Sequence, residues 1–177
     1  CHLAITGNGV AALENSADKP VASLRPLGRS RPGPAYRFSV EGRPWELWFE
    51  AGDIWYKKKW KAGPYRNLTK PIGNSAGALA PDIVLTGPDD KVVSIEVKYS
   101  EDVSYVARRG YGQALAYAKE FAANGVGDVV SLVIGPTEVV GASQFRQVAG
   151  HVVGIADPTN SADAVRRICS GHFDHLE

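Results

Sequence analysis

The chain is read as an α/β protein with a mixed central sheet flanked by helices. Three stretches carry that reading. Residues 81–86 and 91–99 are apolar runs around the turn-rich Gly87-Pro88-Asp89-Asp90, which predicts two antiparallel strands. Tyr111 to Ala122 repeats apolar residues at helical spacing. Asp128 to Ile134 is a short apolar run stopped by Gly135-Pro136, as expected of a buried strand.

The bulk composition sets limits. At 177 residues the chain suits one domain with a core of useful size. Its hydrophobic fraction of 44% and charged fraction of 22% are those of a globular protein. The net charge of +1 gives no global basic signal, so any nucleic-acid signal has to be local. Two cysteines, Cys1 and Cys169, do not make a disulfide framework and fit a reducing, cytoplasmic setting. No apolar run reaches the length of a bilayer span, so no membrane partner is expected. The chain holds no methionine, which reads as a domain excised from a longer protein, and Leu176-Glu177 reads as the start of a tag.

Residues 1–35 are expected to be an N-terminal extension, and 36–177 the main domain. Residues 16–35 are rich in Pro, Gly, Ser and Arg and read as a linker. A short strand is expected over 36–42. The spacing of Trp45, Trp48, Phe49, Gly52 and Trp55, with Pro44 ahead of them, predicts a helix over 44–57. That reading is preferred to a hairpin turning at Ala51-Gly52-Asp53. Glu46 and Glu50, four apart, then share a neighbouring helix face. Lys57, Lys58 and Lys59 follow, as a solvated helix end or a phosphate contact. A strand is expected over 65–72 and a small-residue loop over 73–77.

The hairpin is the chemical centre. Side chains alternate along a strand, so Ser94, Glu96 and Lys98 share one face while Ile95, Val97 and Tyr99 turn to the core. A five-residue connection, 87 to 91, sets Asp82 directly across from Glu96. Two adjacent carboxylates raise each other's pKa unless a cation lies between them. Hard oxygen donors on rigid strands suit Mg²⁺, and the Val97 carbonyl could add a third oxygen. Lys98 on the same face could orient a water or stabilise charge on a phosphate.

Ser100 to Gly110 reads as a polar loop carrying Arg108 and Arg109. In the helix after it, Ala114, Leu115, Ala118, Phe121 and Ala122 form the core stripe, with Gln113 and Tyr117 projecting together beside it. His151 to Ala156 is a further strand, and Ser161 to Ile168 a closing helix capped by Asn160 or Ser161. Cys169, His172 and His175 lack a fourth ligand for zinc. There is no G-x-S-x-G element, P-loop or dinucleotide fingerprint.

Pro81-Asp82 followed by Glu96-Val97-Lys98 resembles the PD-(D/E)XK nuclease superfamily. Trp45-Glu46-Leu47-Trp48 is similar to the leading helix of McrC-like restriction nucleases, which picks Glu46 over Glu50 as the helix acid. Gln113-x-x-x-Tyr117 resembles the Q-x-x-x-Y element of the RecB-like branch. The resemblance covers about 44–135. It implies a restriction-endonuclease-like core of αβββαβ order, here with an extra C-terminal strand and helix. It further implies a metal-dependent deoxyribonuclease, an endonuclease of restriction, defence or DNA processing. Asp82, Glu96, Val97 and Glu46 would hold Mg²⁺, with Mn²⁺ as a substitute. Lys98 would complete the catalytic set, and Gln113, Tyr117, Arg108 and Arg109 would contact substrate. The implied partner is DNA ahead of RNA, with a partner NTPase subunit, an immunity protein or a second copy as protein partners. Two rival readings are a nuclease toxin domain acting on DNA or RNA and a non-catalytic nucleic-acid-binding module.

Overall fold

The computed structural model describes residues 22–23, 33–49, 54, 57–60, 81–140 and 143–171. Among the described residues eight strands form one mixed sheet: β1 Ala22–Ser23, β2 Tyr36–Val40, β3 Arg43–Phe49, β4 Ile83–Thr86, β5 Val92–Val97, β6 Val129–Ile134, β7 Gln144–Val148 and β8 His151–Ala156. Their spatial order is β1-β2-β3-β4-β5-β6-β8-β7. The run β1 to β5 is antiparallel throughout. β6 is parallel to both β5 and β8, and β7 closes the far edge antiparallel to β8. Among the described residues three α-helices accompany the sheet: α1 Tyr111–Ala123, the single turn α2 Thr137–Val140, and α3 Ser161–Ser170. β1 lies within the stretch expected to be a linker.

Local chemistry places the turns. Glu41 and Gly42 have φ of 51° and 72°, and Ala149 and Gly150 have φ of 50° and 81°. Two successive positive φ values are what a two-residue hairpin loop needs to follow the strand twist. The β4–β5 connection folds as one tight turn, closed by Gly87 N–H to the Lys91 carbonyl at 2.9 Å. Gly87 is required there: a Cβ would stand 2.5 Å from the Trp45 ring. α3 is started from outside itself. The Asp157 carboxylate accepts from the Thr159 and Asn160 amides at 2.7 and 3.0 Å and from Asn160 Nδ2 at 2.7 Å. Asn160 caps only by position, without a side-chain hydrogen bond, and Ser161 Oγ turns to the Pro158 carbonyl.

The sheet is covered on both faces. On one face Trp45, Leu47, Leu85, Val93, Ile95 and Leu132 pack under Ala164, Val165 and Ile168 of α3. On the other, Trp48, Val84, Val92 and Val129 pack under Tyr117, Ala118 and Phe121 of α1. Val133, Val153 and Ile155 continue that face under Ala114.

Several expectations need correction. The helix over 44–57 is instead β3 through Phe49, with helical backbone at Ile54, Lys57 and Lys58. Trp45 and Trp48 are both buried but on opposite faces of the sheet. A strand apolar on both sides shows no alternation, and its aromatics happened to fall at helical spacing. Ser100–Gly110 is not wholly a loop. Val103 and Ser104 are helical, and Tyr105–Gly110 forms a π-helix that runs directly into α1. Tyr99, expected in the core, is 74% exposed, because β5 ends at Val97. The extra C-terminal strand is an edge pair, β7 with β8. In α1 the expected core residues Ala114, Ala118 and Phe121 are buried, whereas Leu115 is half-buried and Ala122 exposed. The strand expected over 65–72, the loop over 73–77, and Glu50, His172 and His175 lie outside the described residues. Among the described residues no helix is long and apolar enough to cross a membrane.

Candidate active site

The β4–β5 register builds the site. Ile83 pairs with Ile95 and Val84 with Ser94, so one further step sets Asp82 opposite Glu96, as the five-residue connection implies. Asp82 is fixed by its own strand partner: the Val97 amide donates to Asp82 Oδ2 at 2.8 Å. Glu96 and Lys98 are 6% and 8% exposed, and Lys98 Nζ donates to Glu96 Oε1 in a short contact. Two like-charged carboxylates and one ammonium thus meet on a surface largely withdrawn from water.

α1 roofs this cluster. Tyr117, 3% exposed, brings its hydroxyl to the Glu96 carboxylate. Gln113 Nε2 donates to the Tyr117 hydroxyl at 3.5 Å. The helix can come this close because Gly110 has no side chain. A Cβ there would lie 2.8 Å from Val133 Cγ1 and 3.5 Å from Lys98 Cγ. Beneath the cluster, Ser94 and Ser131 share a buried hydroxyl–hydroxyl bond of 2.7 Å that ties β5 to β6.

Burial pushes the Glu96 carboxyl above its usual range. The Lys98 contact works against that, and the Asp82 charge adds to the rise. Burial also raises the Tyr117 hydroxyl, with the negative charge of Glu96 adding to it. Tyr117 therefore stays protonated and available as a donor. Among the described residues, Glu96 Oε2 and Gln113 Oε1 are buried acceptors without a hydrogen bond. A buried acceptor left in this state favours a donor or cation.

The donor set fits a hard divalent cation in kind: two carboxylates face one another on rigid strands, and one oxygen of Glu96 is uncommitted. Among the described residues no three His, Cys, Asp or Glu side chains converge.

The remaining candidates are placed differently. Glu46 projects on the same sheet face, but from β3 opposite Thr86, four positions along the sheet from the Asp82 level. At ~3.3 Å per residue that is roughly 13 Å. Its carboxylate is engaged by Arg37 Nε at 3.0 Å and faces Lys57 Nζ at 3.9 Å. Arg108 and Arg109 are exposed on the π-helix, with the Arg109 guanidinium 5.5 Å above the Tyr105 ring. Gly110, Tyr105 and Ser131 do not stand out in the sequence as site residues. The sequence signals were a glycine just ahead of a helix and an aromatic four residues before an arginine, both too common to choose alone. Cys169 lies in the core on α3, its thiol pushed up to about 12 by burial, which suits packing better than metal binding.

Comparison with protein-family models and with curated proteins returned no match, so the functional reading rests on the geometry above.

Proposed function

We propose that this chain is a metal-dependent nuclease of the PD-(D/E)XK type that hydrolyses phosphodiester bonds, with DNA as substrate. One observation carries the reading: a buried Glu96–Lys98 pair faces Asp82 across a hairpin, with Tyr117 and Gln113 closing over it. The order β3–β4–β5, then α1, then parallel β6 agrees with the βββαβ portion of a restriction-endonuclease-like core. The leading helix of that core has no counterpart at 44–49, which is β3.

Asp82 and Glu96 are the residues that would hold Mg²⁺ or Mn²⁺. Such an ion, when bound, supplies charge neutralisation on the phosphate and a more acidic water. The chain's own groups do the positioning. Asp82 is pinned by the Val97 amide, so its free oxygen is aimed before substrate arrives. Tyr117 and Lys98 both engage the Glu96 carboxylate, leaving Oε2 uncommitted. Lys98 puts a positive charge on the face where a phosphate would gain negative charge. Gln113 steadies Tyr117 through its amide nitrogen, and its amide oxygen is a buried acceptor without a hydrogen bond.

The test is incubation of the full chain with duplex DNA, single-stranded DNA and RNA, in Mg²⁺ and in chelator. Cleavage is expected in Mg²⁺ only, and Asp82→Asn is expected to abolish it while leaving the thermal unfolding midpoint close to that of the parent. Full cleavage by that variant would sink the reading. Salt-sensitive binding without any cleavage would identify a binding module instead.

A further inference from the structure

Four residues form a line along the helix that roofs the site: Tyr117, Gln113, Arg109 and Tyr105, each four positions from the next. The inner two are joined by the Gln113–Tyr117 contact, and Tyr117 reaches the Glu96 carboxylate. The outer two are joined by the Arg109 guanidinium over the Tyr105 ring. Exposure rises outward: Tyr117 is buried, Gln113 half-buried, Arg109 exposed, and Tyr105 is 38% exposed.

The π-helix makes the line possible. An α-helix turns ~100° per residue, so Tyr105 and Tyr117 would sit about 120° apart around its axis. A π-helix turns only ~82° per residue, and six residues of it, Tyr105–Gly110, bring the two rings to within about 30°. The wide turn therefore aligns an aromatic–cation pair at the surface with the buried tyrosine. Gly110, next to Arg109, is the residue packed on the Lys98 stem, so the outer pair adjoins the reactive end of the cluster.

We infer that Tyr105 and Arg109 form a nucleotide subsite that leads single-stranded nucleic acid into the Asp82–Glu96–Lys98 cluster; this rests on the nuclease reading above. An exposed ring can stack on a base only where that base is unpaired, and a neighbouring guanidinium contacts its phosphate or its π face. Arg108 adds a second exposed positive charge. Of the two acids nearby, Asp102 spends Oδ1 on the Ser104 and Tyr105 amides at 2.8 and 3.2 Å, which orders the start of the helix. Glu101 is exposed to solvent. The substrate class is thus a single strand or a frayed end, with little sequence preference.

The experiment uses the full chain and a fluorescein-labelled twenty-nucleotide oligo-dT, with a hairpin duplex of the same length as comparison. Binding is read by anisotropy in chelator, and cleavage separately in Mg²⁺. Tyr105→Ala is expected to weaken oligo-dT binding about 5- to 150-fold, the range of one lost base stack. Tyr105→Trp is expected to restore binding, and Arg109→Ala to weaken binding and flatten its salt dependence. Hairpin binding should change little. Unchanged oligo-dT affinity in both alanine variants overturns the subsite, even where Asp82-dependent cleavage upholds the nuclease. Tyr105-dependent binding without any cleavage upholds the subsite and removes the nuclease.

Discussion

Lys98 is surrounded so completely that its charge is compensated chiefly by Glu96. Removing one member of a buried pair leaves the other charged and desolvated, at a cost of about 3–5 kcal/mol. Lys98→Met is therefore expected to lower stability by several kcal/mol as well as abolish cleavage. Asp82→Asn should cost less than about 1 kcal/mol, because an amide oxygen still accepts from Val97. Urea denaturation of the two variants checks the contrast, and equal stabilities would show that Lys98 is not held as described. The contrast matters for interpretation, since loss of activity in the lysine variant alone could be loss of fold. At this scale the sequence was informative about the hairpin acids, because alternation and a countable turn fix which side chains meet. It misplaced Glu46 on a helix, because the position of that side chain depends on whether its segment is helix or strand.

The two elements misread from sequence fail for different physical reasons. β3 is an interior strand with apolar cover on both sides, so its pattern carries no period of two. The π-helix is hidden because its polar, exposed side chains and terminal glycine have the composition of a loop. β7 went unnoticed since Phe145 is its single buried residue. By contrast β4, β5, β6 and α1 were legible, each having a clean run and a stop signal. Gly110 is where two elements meet most closely, and it yields a prediction at this scale. Gly110→Ala drives a methyl into Val133 and against the Lys98 stem, at about 1–3 kcal/mol. Cleavage should fall because the roof lifts from Glu96, and Gly112→Ala, which has open space around it, should be harmless. Melting temperatures and rates of the pair test this; equal behaviour would mean that the close approach is unimportant.

At the scale of the whole molecule, the described residues give the sheet a core on each face, and the reactive cluster lies on the α1 side. The α3 side contributes stability, and its helix is anchored by Asp157. Burial pushes the Asp157 pKa up, but the hydrogen bonds from Asn160 and Thr159 outweigh this and hold it below the ordinary 3.8. The unfolded chain then binds the proton more readily than the fold. The contribution is complete above the ordinary value and disappears as pH falls through the depressed one. Below about pH 4 the parent should therefore lose stability more steeply than Asp157→Asn, which lacks the titrating group. Near neutral pH the variant should be the weaker by about 1 kcal/mol, having lost a charge-assisted cap. Parallel slopes in acid urea titrations would argue against that anchoring role.

The edge formed by β7 bears on how these molecules tolerate crowding. A sheet that ends in an open strand offers unpaired amides and carbonyls to any neighbouring chain. On β7 the side chains of Gln144, Arg146, Gln147 and Val148 stand in solvent, and Arg146 occupies the middle of the strand. An incoming strand would have to accommodate that guanidinium at the centre of the new ladder. Self-association through this edge is thereby discouraged by one charge, placed where a second sheet would otherwise begin to grow.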